Sequence, residues 1–144
     1  MQRQHADRHA AAVILARDLA QRLSTVMPPG VSVTADGGNI VVSDGRDSDG
    51  TGLVPLVDQP GDLADNIVTA ASAVLNTVQD LATLTLGQGW PPSRGTQPGT
   101  FESAANLPLP SVEVRDRSLR LWYGERDRPA LELAPIDLTE LLQA

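Results

Sequence analysis

The chain has 144 residues, of which 41% are hydrophobic, and it carries a formal net charge of −7. This length suits one domain, and the hydrophobic content excludes a typical disordered chain. The sequence has no cysteine, which excludes disulfides, thiolate metal sites and cysteine nucleophiles, and it has no unbroken apolar run long enough to predict a membrane span.

The acidic balance argues against partners that are themselves negatively charged. A pI near 4.6 predicts repulsion from nucleic acid and from anionic membrane surfaces. All 11 basic residues are arginine, and with the abundant Ala, Gly, Pro and Asp this indicates the codon usage of a high-GC bacterium. The N-terminus leads into an amphipathic helix and has no apolar signal region, so we expect a cytoplasmic protein.

The first elements are predicted to be a helix and a hairpin. Apolar residues at helical spacing predict a helix over about 7–27, which Pro28-Pro29-Gly30 would end. Alternating runs at 31–34 and 39–42 predict two strands, and Asp36-Gly37 is typical of a two-residue hairpin turn. The resulting register pairs Val33 with Ile40 and Val31 with Val42.

A third strand and a second helix are expected next. Pro55 cannot donate a ladder hydrogen bond, so a strand over 53–57 would lie at a sheet edge. The longest helix is predicted over about 63–86, with Asp62 as its N-cap and Gly87 at its end. Its wide apolar face predicts contacts on more than one side, as expected of a central core helix.

An irregular stretch over 88–109 precedes a predicted meander of three strands at 111–115, 118–123 and 129–133. A short last helix is expected over about 136–143. The two turns predict the following pairs: Val114 with Leu119, Val112 with Leu121, Glu113 with Arg120, Leu121 with Leu131, Leu119 with Leu133, and Arg120 with Glu132. Arg120 would thus lie between two carboxylates on one sheet face.

These elements predict an α+β fold with two layers. We expect an antiparallel sheet of about five or six strands with the two main helices on one face, in the order α-β-β-(β)-α-β-β-β-α. The order of elements resembles that of small secretion-chaperone-like folds, and this resemblance implies dimerisation and polypeptide binding. The predicted core consists of Leu19, Leu23, Val33, Ile40, Val74, Val78, Val112, Val114, Leu119, Leu121 and Leu133.

Two patterns could suggest a metal site, and neither is complete. His5 and His9 have the i,i+4 spacing of two zinc ligands on one helical face, but no third ligand is specified. Asp47 and Asp49 match part of a calcium loop that lacks the bidentate glutamate. We interpret the histidines as a solvated helix start and the aspartates as part of a polar loop over 43–52, and we predict neither a metal nor another cofactor.

Catalytic motifs are missing from the sequence. It has no G-x-S-x-G, no P-loop lysine and no G-x-G-x-x-G, and both histidines lie near the N-terminus, away from most serines and threonines. A hydrolytic mechanism that uses two carboxylates is not excluded by the sequence, because a chain with 18 acidic residues always offers such pairs. An enzyme is therefore the less favoured interpretation.

The aromatic residues suggest a surface for partners. Five arginines lie between Arg115 and Arg128 with Trp122 and Tyr123 among them, but neighbouring acids nearly cancel their charge, which argues against nucleic acid. Strand alternation places Trp122 on the outer face beside Arg120, where the ring is exposed, covered by the long loop, or an interface anchor. The candidate partner-binding residues are Trp90, Phe101, Arg120 and Trp122.

The sequence therefore favours a small acidic binding or adaptor module. We expect a homodimer that holds a protein partner with its outer sheet face and the 88–109 loop. The alternatives are a small-ligand protein or enzyme with a pocket between the 63–86 helix and the sheet, and a component of a larger assembly.

Overall fold

A computed structural model describes residues 2–87, 89–91 and 108–143 of the chain. Within these residues it contains four helices and seven strands. In chain order they are α1 (Gln2–Ser24), β1 (Ser32–Asp36), β2 (Asn39–Ser43), β3 (Ser48–Gly52), α2 (Val54–Val57), α3 (Leu63–Leu86), β4 (Pro110–Arg115), β5 (Ser118–Gly124), β6 (Pro129–Glu132), β7 (Ile136–Asp137) and α4 (Thr139–Gln143).

The α+β class is confirmed, with a different division of the strands. The strands form two antiparallel sheets, one with the order β1-β2-β3 and one with the order β4-β5-β6, in which β7 also pairs with β5. A single sheet of five or six strands was expected. Each sheet follows one long helix in the sequence, so the helix-and-meander unit occurs twice.

The first hairpin has the expected face but a different register. Val33 pairs with Val42 and Ala35 with Ile40, so the predicted pairs are wrong by two residues. The turn consists of Gly37 and Gly38, and Gly37 takes a positive φ of 59°. A Cβ on Gly38 would lie 2.6 Å from the Val54 side chain, which explains why this buried turn position is glycine.

The predicted strand over 53–57 is wrong. Val54–Val57 forms the short helix α2, in which Pro55 occupies the first turn, the one part of a helix where its missing N–H costs nothing. The third strand lies instead at Ser48–Gly52, inside the segment that was expected to be a polar loop. Polar and glycine residues dominate that strand, so neither hydrophobic alternation nor β propensity predicts it.

Helix α3 follows its predicted bounds. Asp62 caps it, since its carboxylate accepts a hydrogen bond from the Ala64 N–H at 2.8 Å, and Gly87 ends it with a φ of 68°. The helix contacts β2 and β3 of the first sheet and β4 of the second. It therefore has the expected central position, and both sheets pack on it.

In the second sheet the predicted register of β4 with β5 is confirmed, and the predicted register of β5 with β6 is wrong. Val114 pairs with Leu119, Val112 with Leu121 and Glu113 with Arg120, through a turn at Asp116-Arg117. On the other edge of β5, Glu132 pairs with Trp122 and Leu131 with Tyr123, two residues away from the predicted register. Ile136–Asp137 forms β7, so the last helix begins at Thr139 and not at Ile136.

One hydrophobic cluster joins the two long helices, α1 and α3, to both sheets. Nine of the eleven predicted core residues belong to it, and the other two, Val112 and Val114, are partly buried and pack against it. Tyr123 is the largest fully buried side chain, and its hydroxyl donates a hydrogen bond to the Leu75 carbonyl at 2.8 Å. This bond ties β5 to the middle of α3.

Helix α3 is also the one described helix whose length and composition would allow it to cross a membrane. Its mean hydropathy reaches 1.2 over 18 residues, and 50% of that window is buried inside the protein. A buried core helix of a soluble protein meets the same criteria.

Candidate partner-binding site

A β-bulge lies opposite Arg120 in the second sheet. Leu119 pairs with Ile136 and Trp122 with Glu132, so three steps along β5 correspond to four steps from Glu132 to Ile136. The Leu133 N–H bonds to the Leu121 carbonyl at 3.0 Å, which leaves residues 134 and 135 together opposite Arg120. Bulges of this kind bend a strand and re-aim its side chains, and they are enriched next to functional sites.

The bulge borders a cleft of about 420 Å³. One strand contributes Ser118 and Arg120, whereas β6 and the bulge contribute Glu132, Leu133, Ala134 and Pro135. Apolar groups of the bulge therefore face an ion pair across the cleft. We call this feature the Arg120 cleft.

Two glutamates hold the Arg120 side chain. Its Nη2 lies 3.0 Å from a carboxylate oxygen of Glu132, and its Nη1 lies 4.0 Å from one of Glu113. Arg126 also pairs with Glu113. Two arginines and two glutamates thus form a network of no net charge on this face, as the sequence predicts for Arg120, although Glu132 reaches it diagonally and not from directly opposite.

The Trp122 ring lies under Arg120. The guanidinium carbon is 5.3 Å from the ring centroid, within the range of a cation–π contact. Trp122 is on the side opposite to Leu119, Leu121 and Tyr123, and it stands outside the main hydrophobic cluster. However, the residue is only 6% exposed, so it is not an exposed ring. Among the described residues its buried indole N–H has no hydrogen-bond acceptor.

Helix α1 contacts the bulge through the side chain of Arg22. The Nη2 of Arg22, in the last turn of α1, lies 3.3 Å from the Pro135 carbonyl. The Arg22 guanidinium donates this hydrogen bond, and Pro135, whose carbonyl accepts it, lines the cleft. The geometry of the bulge therefore depends on a side chain from the first half of the chain, a contact that no local sequence pattern reveals.

The other candidate residues lie elsewhere. Trp90 is 5% exposed and packs edge-on against Tyr123 with ring centroids 5.4 Å apart, so it belongs to the core on the face opposite to Trp122. Its backbone N–H donates to the Thr83 hydroxyl at 3.1 Å. Phe101 lies outside the described residues. The structure thus brings Arg120 and Trp122 together and separates them from Trp90.

In the aspartate-rich segment, the Asp44 carboxylate accepts hydrogen bonds from nearby backbone groups. One carboxylate oxygen of Asp44 accepts hydrogen bonds from the N–H groups of Arg46 and Asp47, at 2.9 and 2.7 Å, and the other accepts from Thr85. These donors hold the pKa of Asp44 below its ordinary value, because they stabilise the charged form. The segment therefore acts as the turn between β2 and β3. At the N-terminus, His9 is exposed, and the His5 side chain lies outside what the structure describes.

The lining of the cleft combines hydrogen-bonding groups with apolar groups. Arg120 offers guanidinium N–H donors and Glu132 offers carboxylate acceptors, while Leu133, Ala134 and Pro135 offer apolar surface. The interface between α3 and the sheets, where the alternative pocket was expected, holds buried side chains of the core cluster such as Val74, Leu75 and Tyr123.

Comparison of the chain with protein-family models, with curated proteins and with solved structures finds no match.

Proposed function

We propose that this protein is a binding module that holds an extended segment of a protein partner in the Arg120 cleft. The observation that carries the proposal is the bulge opposite Arg120, which opens a cleft beside a guanidinium whose position is already held by Glu132 and Trp122. A side chain held before binding loses little rotamer freedom when a ligand arrives.

The chemistry of the cleft suits a polypeptide backbone. An extended segment carries alternating carbonyl acceptors and N–H donors, which match the free donors of Arg120 and the carboxylate of Glu132. Its small or apolar side chains match the surface of Ala134 and Pro135, both of which are exposed. Because the whole chain is acidic, a neutral or basic segment is favoured over an acidic one.

A random-peptide library displayed on phage, selected against the immobilised protein, tests this proposal. The Kd of each enriched peptide is then measured by fluorescence anisotropy with wild type, Arg120→Ala and Arg128→Ala. Arg128 is an exposed arginine of the β5–β6 connection, outside the residues that line the cleft, and serves as the matched control.

We expect Arg120→Ala to weaken binding about tenfold or more, which corresponds to the loss of about 1.4 kcal/mol, and Arg128→Ala to leave it unchanged. Equal affinities for the two variants would contradict the proposal, as would a selection that enriches no peptide over an unrelated protein. Thermal melts of both variants confirm that each remains folded.

A further inference from the structure

Within the described residues, one backbone edge of strand β4 is not paired with another strand. The strand pairs with β5 on one side, and no other strand follows it in the sheet order of the described residues. The N–H of Leu133, the residue that follows β6, donates to the Leu121 carbonyl, so the peptide groups of Leu121 point away from β4. Antiparallel pairs alternate between bonded and non-bonded, and Val112 and Val114 therefore direct their own N–H and C=O groups to the open edge.

Proline and bulges, two of the features that protect edge strands, leave the centre of β4 open. Pro110 blocks its first position, but Val112 and Val114 have neither a proline nor a bulge beside them. Edge strand β3 differs, because Ser48–Gly52 consists of glycine and polar residues and offers no apolar side chain to a partner. An unprotected edge with β-branched residues is a template for another strand.

We infer that a second copy of this chain pairs antiparallel with β4 about a two-fold axis at Val114. In that register Val114 bonds to Val114 of the partner subunit, and Glu113 lies directly opposite Arg115 of the partner subunit. Symmetry produces this opposite-charge pair twice. The charges of β4 are thus complementary to those of its own copy, as a two-fold interface requires.

Two side-chain observations agree with this register. Arg115 is exposed and forms no ion pair or hydrogen bond within the described part of the chain. One carboxylate oxygen of Glu113 is buried and has no hydrogen-bond donor among the described residues, although Arg120 lies 4.0 Å away. The partner's Arg115 would supply that donor.

The dimer is expected to be weak. The β4 strand has six residues, and one short edge-to-edge contact lies at the low end of specific interfaces, below about 1,200 Å². We therefore expect a dissociation constant in the micromolar range, sensitive to salt because two ion pairs between the subunits contribute.

Sedimentation equilibrium over a concentration series measures this association directly for wild type, Arg115→Glu and Arg128→Glu. We expect wild type to dimerise, Arg115→Glu to weaken the association at least about tenfold, since like charges would face each other twice, and Arg128→Glu to behave as wild type. Melting temperatures of both variants show whether the fold is intact.

Amide hydrogen exchange identifies the edge independently. The Val112 and Val114 amides of wild type should exchange more slowly as the protein concentration rises, and those of Arg115→Glu should show no such dependence. A monomer at every concentration overturns the inference, and so does a dimer that Arg115→Glu does not weaken or that leaves the Val114 amide unprotected.

Discussion

The guanidinium carbon of Arg120 lies 5.3 Å from the centre of the Trp122 ring, so these two residues of one strand form a single stacked unit. Strand alternation puts both on the same face. The stack joins the ion pairs of the outer face to a ring that is nearly inaccessible to solvent. Arg120 therefore belongs both to the contacts that stabilise the second sheet and to the lining of the candidate binding site.

Arg120 is expected to contribute to stability as well as to binding. Arg120→Ala removes the cation–π contact and the ion pairs to Glu113 and Glu132, and we expect the free energy of unfolding to fall by about 1–2 kcal/mol. Arg128→Ala, which changes an exposed arginine outside this network, should stay within about 0.5 kcal/mol of wild type. Urea denaturation measures both, and equal stabilities would contradict the stack.

Trp122 should behave as a buried residue. Because its exposure is 6%, Trp122→Ala is expected to lower the free energy of unfolding by about 3 kcal/mol through lost packing and a residual cavity. Trp122→Phe keeps part of the ring area and should cost clearly less. A Trp122→Ala variant as stable as wild type would show that the ring is not covered in solution.

Local patterns in the sequence predict helix α3 and the hairpin at Asp116-Arg117 well. Helix α3 has an N-cap, an apolar face and a terminal glycine that all indicate the same bounds, and the short turn leaves one register for Val112, Val114 and their partners. The registers of the other two predicted hairpins, β1–β2 and β5–β6, depend on features beyond the local pattern. The Gly37-Gly38 turn is selected by the close approach of Val54, and β6 is shifted by irregular pairing near Gly124.

The candidate site is predicted in part. Alternation along β5 correctly indicates that Arg120 and Trp122 share a face, and opposite charges correctly indicate the ion pairs. The bulge could have been inferred from Pro135, since proline within a run of sheet residues marks an edge or a bulge. Neither the burial of Trp122 nor the bond from Arg22 to Pro135 follows from sequence, because both depend on distant segments.

The buried phenol of Tyr123 should make the free energy of unfolding depend on pH in the alkaline range. Burial and, secondarily, the charge of Asp80 raise the pKa of Tyr123 well above its ordinary value near 10. The unfolded phenol ionises near pH 10, so the stability linked to this group is complete below that pH and falls as the pH rises further. We expect the urea midpoint of wild type to drop between about pH 8 and about pH 11.

Tyr123→Phe is the control for this effect. It removes the hydrogen bond to the Leu75 carbonyl, which should cost about 1 kcal/mol at neutral pH, and it should flatten the alkaline decline. If the two proteins lost stability in parallel above pH 10, the decline would come from other groups.

Val78 tests the position of α3. Its side chain is fully buried between the helix and the sheets, so Val78→Asp places an unpaired charge in the core and should abolish cooperative unfolding. Thr69→Asp puts the same charge on an exposed position of the same helix and should change stability little. Thermal melts followed by circular dichroism distinguish the two, and a Val78→Asp melt close to wild type would mean that the helix is misplaced.

The most direct test of the proposed binding site is a nitrogen–proton correlation spectrum of the two tryptophan indole groups. The chain has two tryptophans, and Trp122→Phe assigns their signals. On titration with a peptide from the phage selection, the Trp122 indole beside Arg120 should shift with saturation, while that of Trp90, packed against Tyr123 in the core, should stay in place. A shift of the Trp90 signal with an unchanged Trp122 signal would contradict binding in the Arg120 cleft.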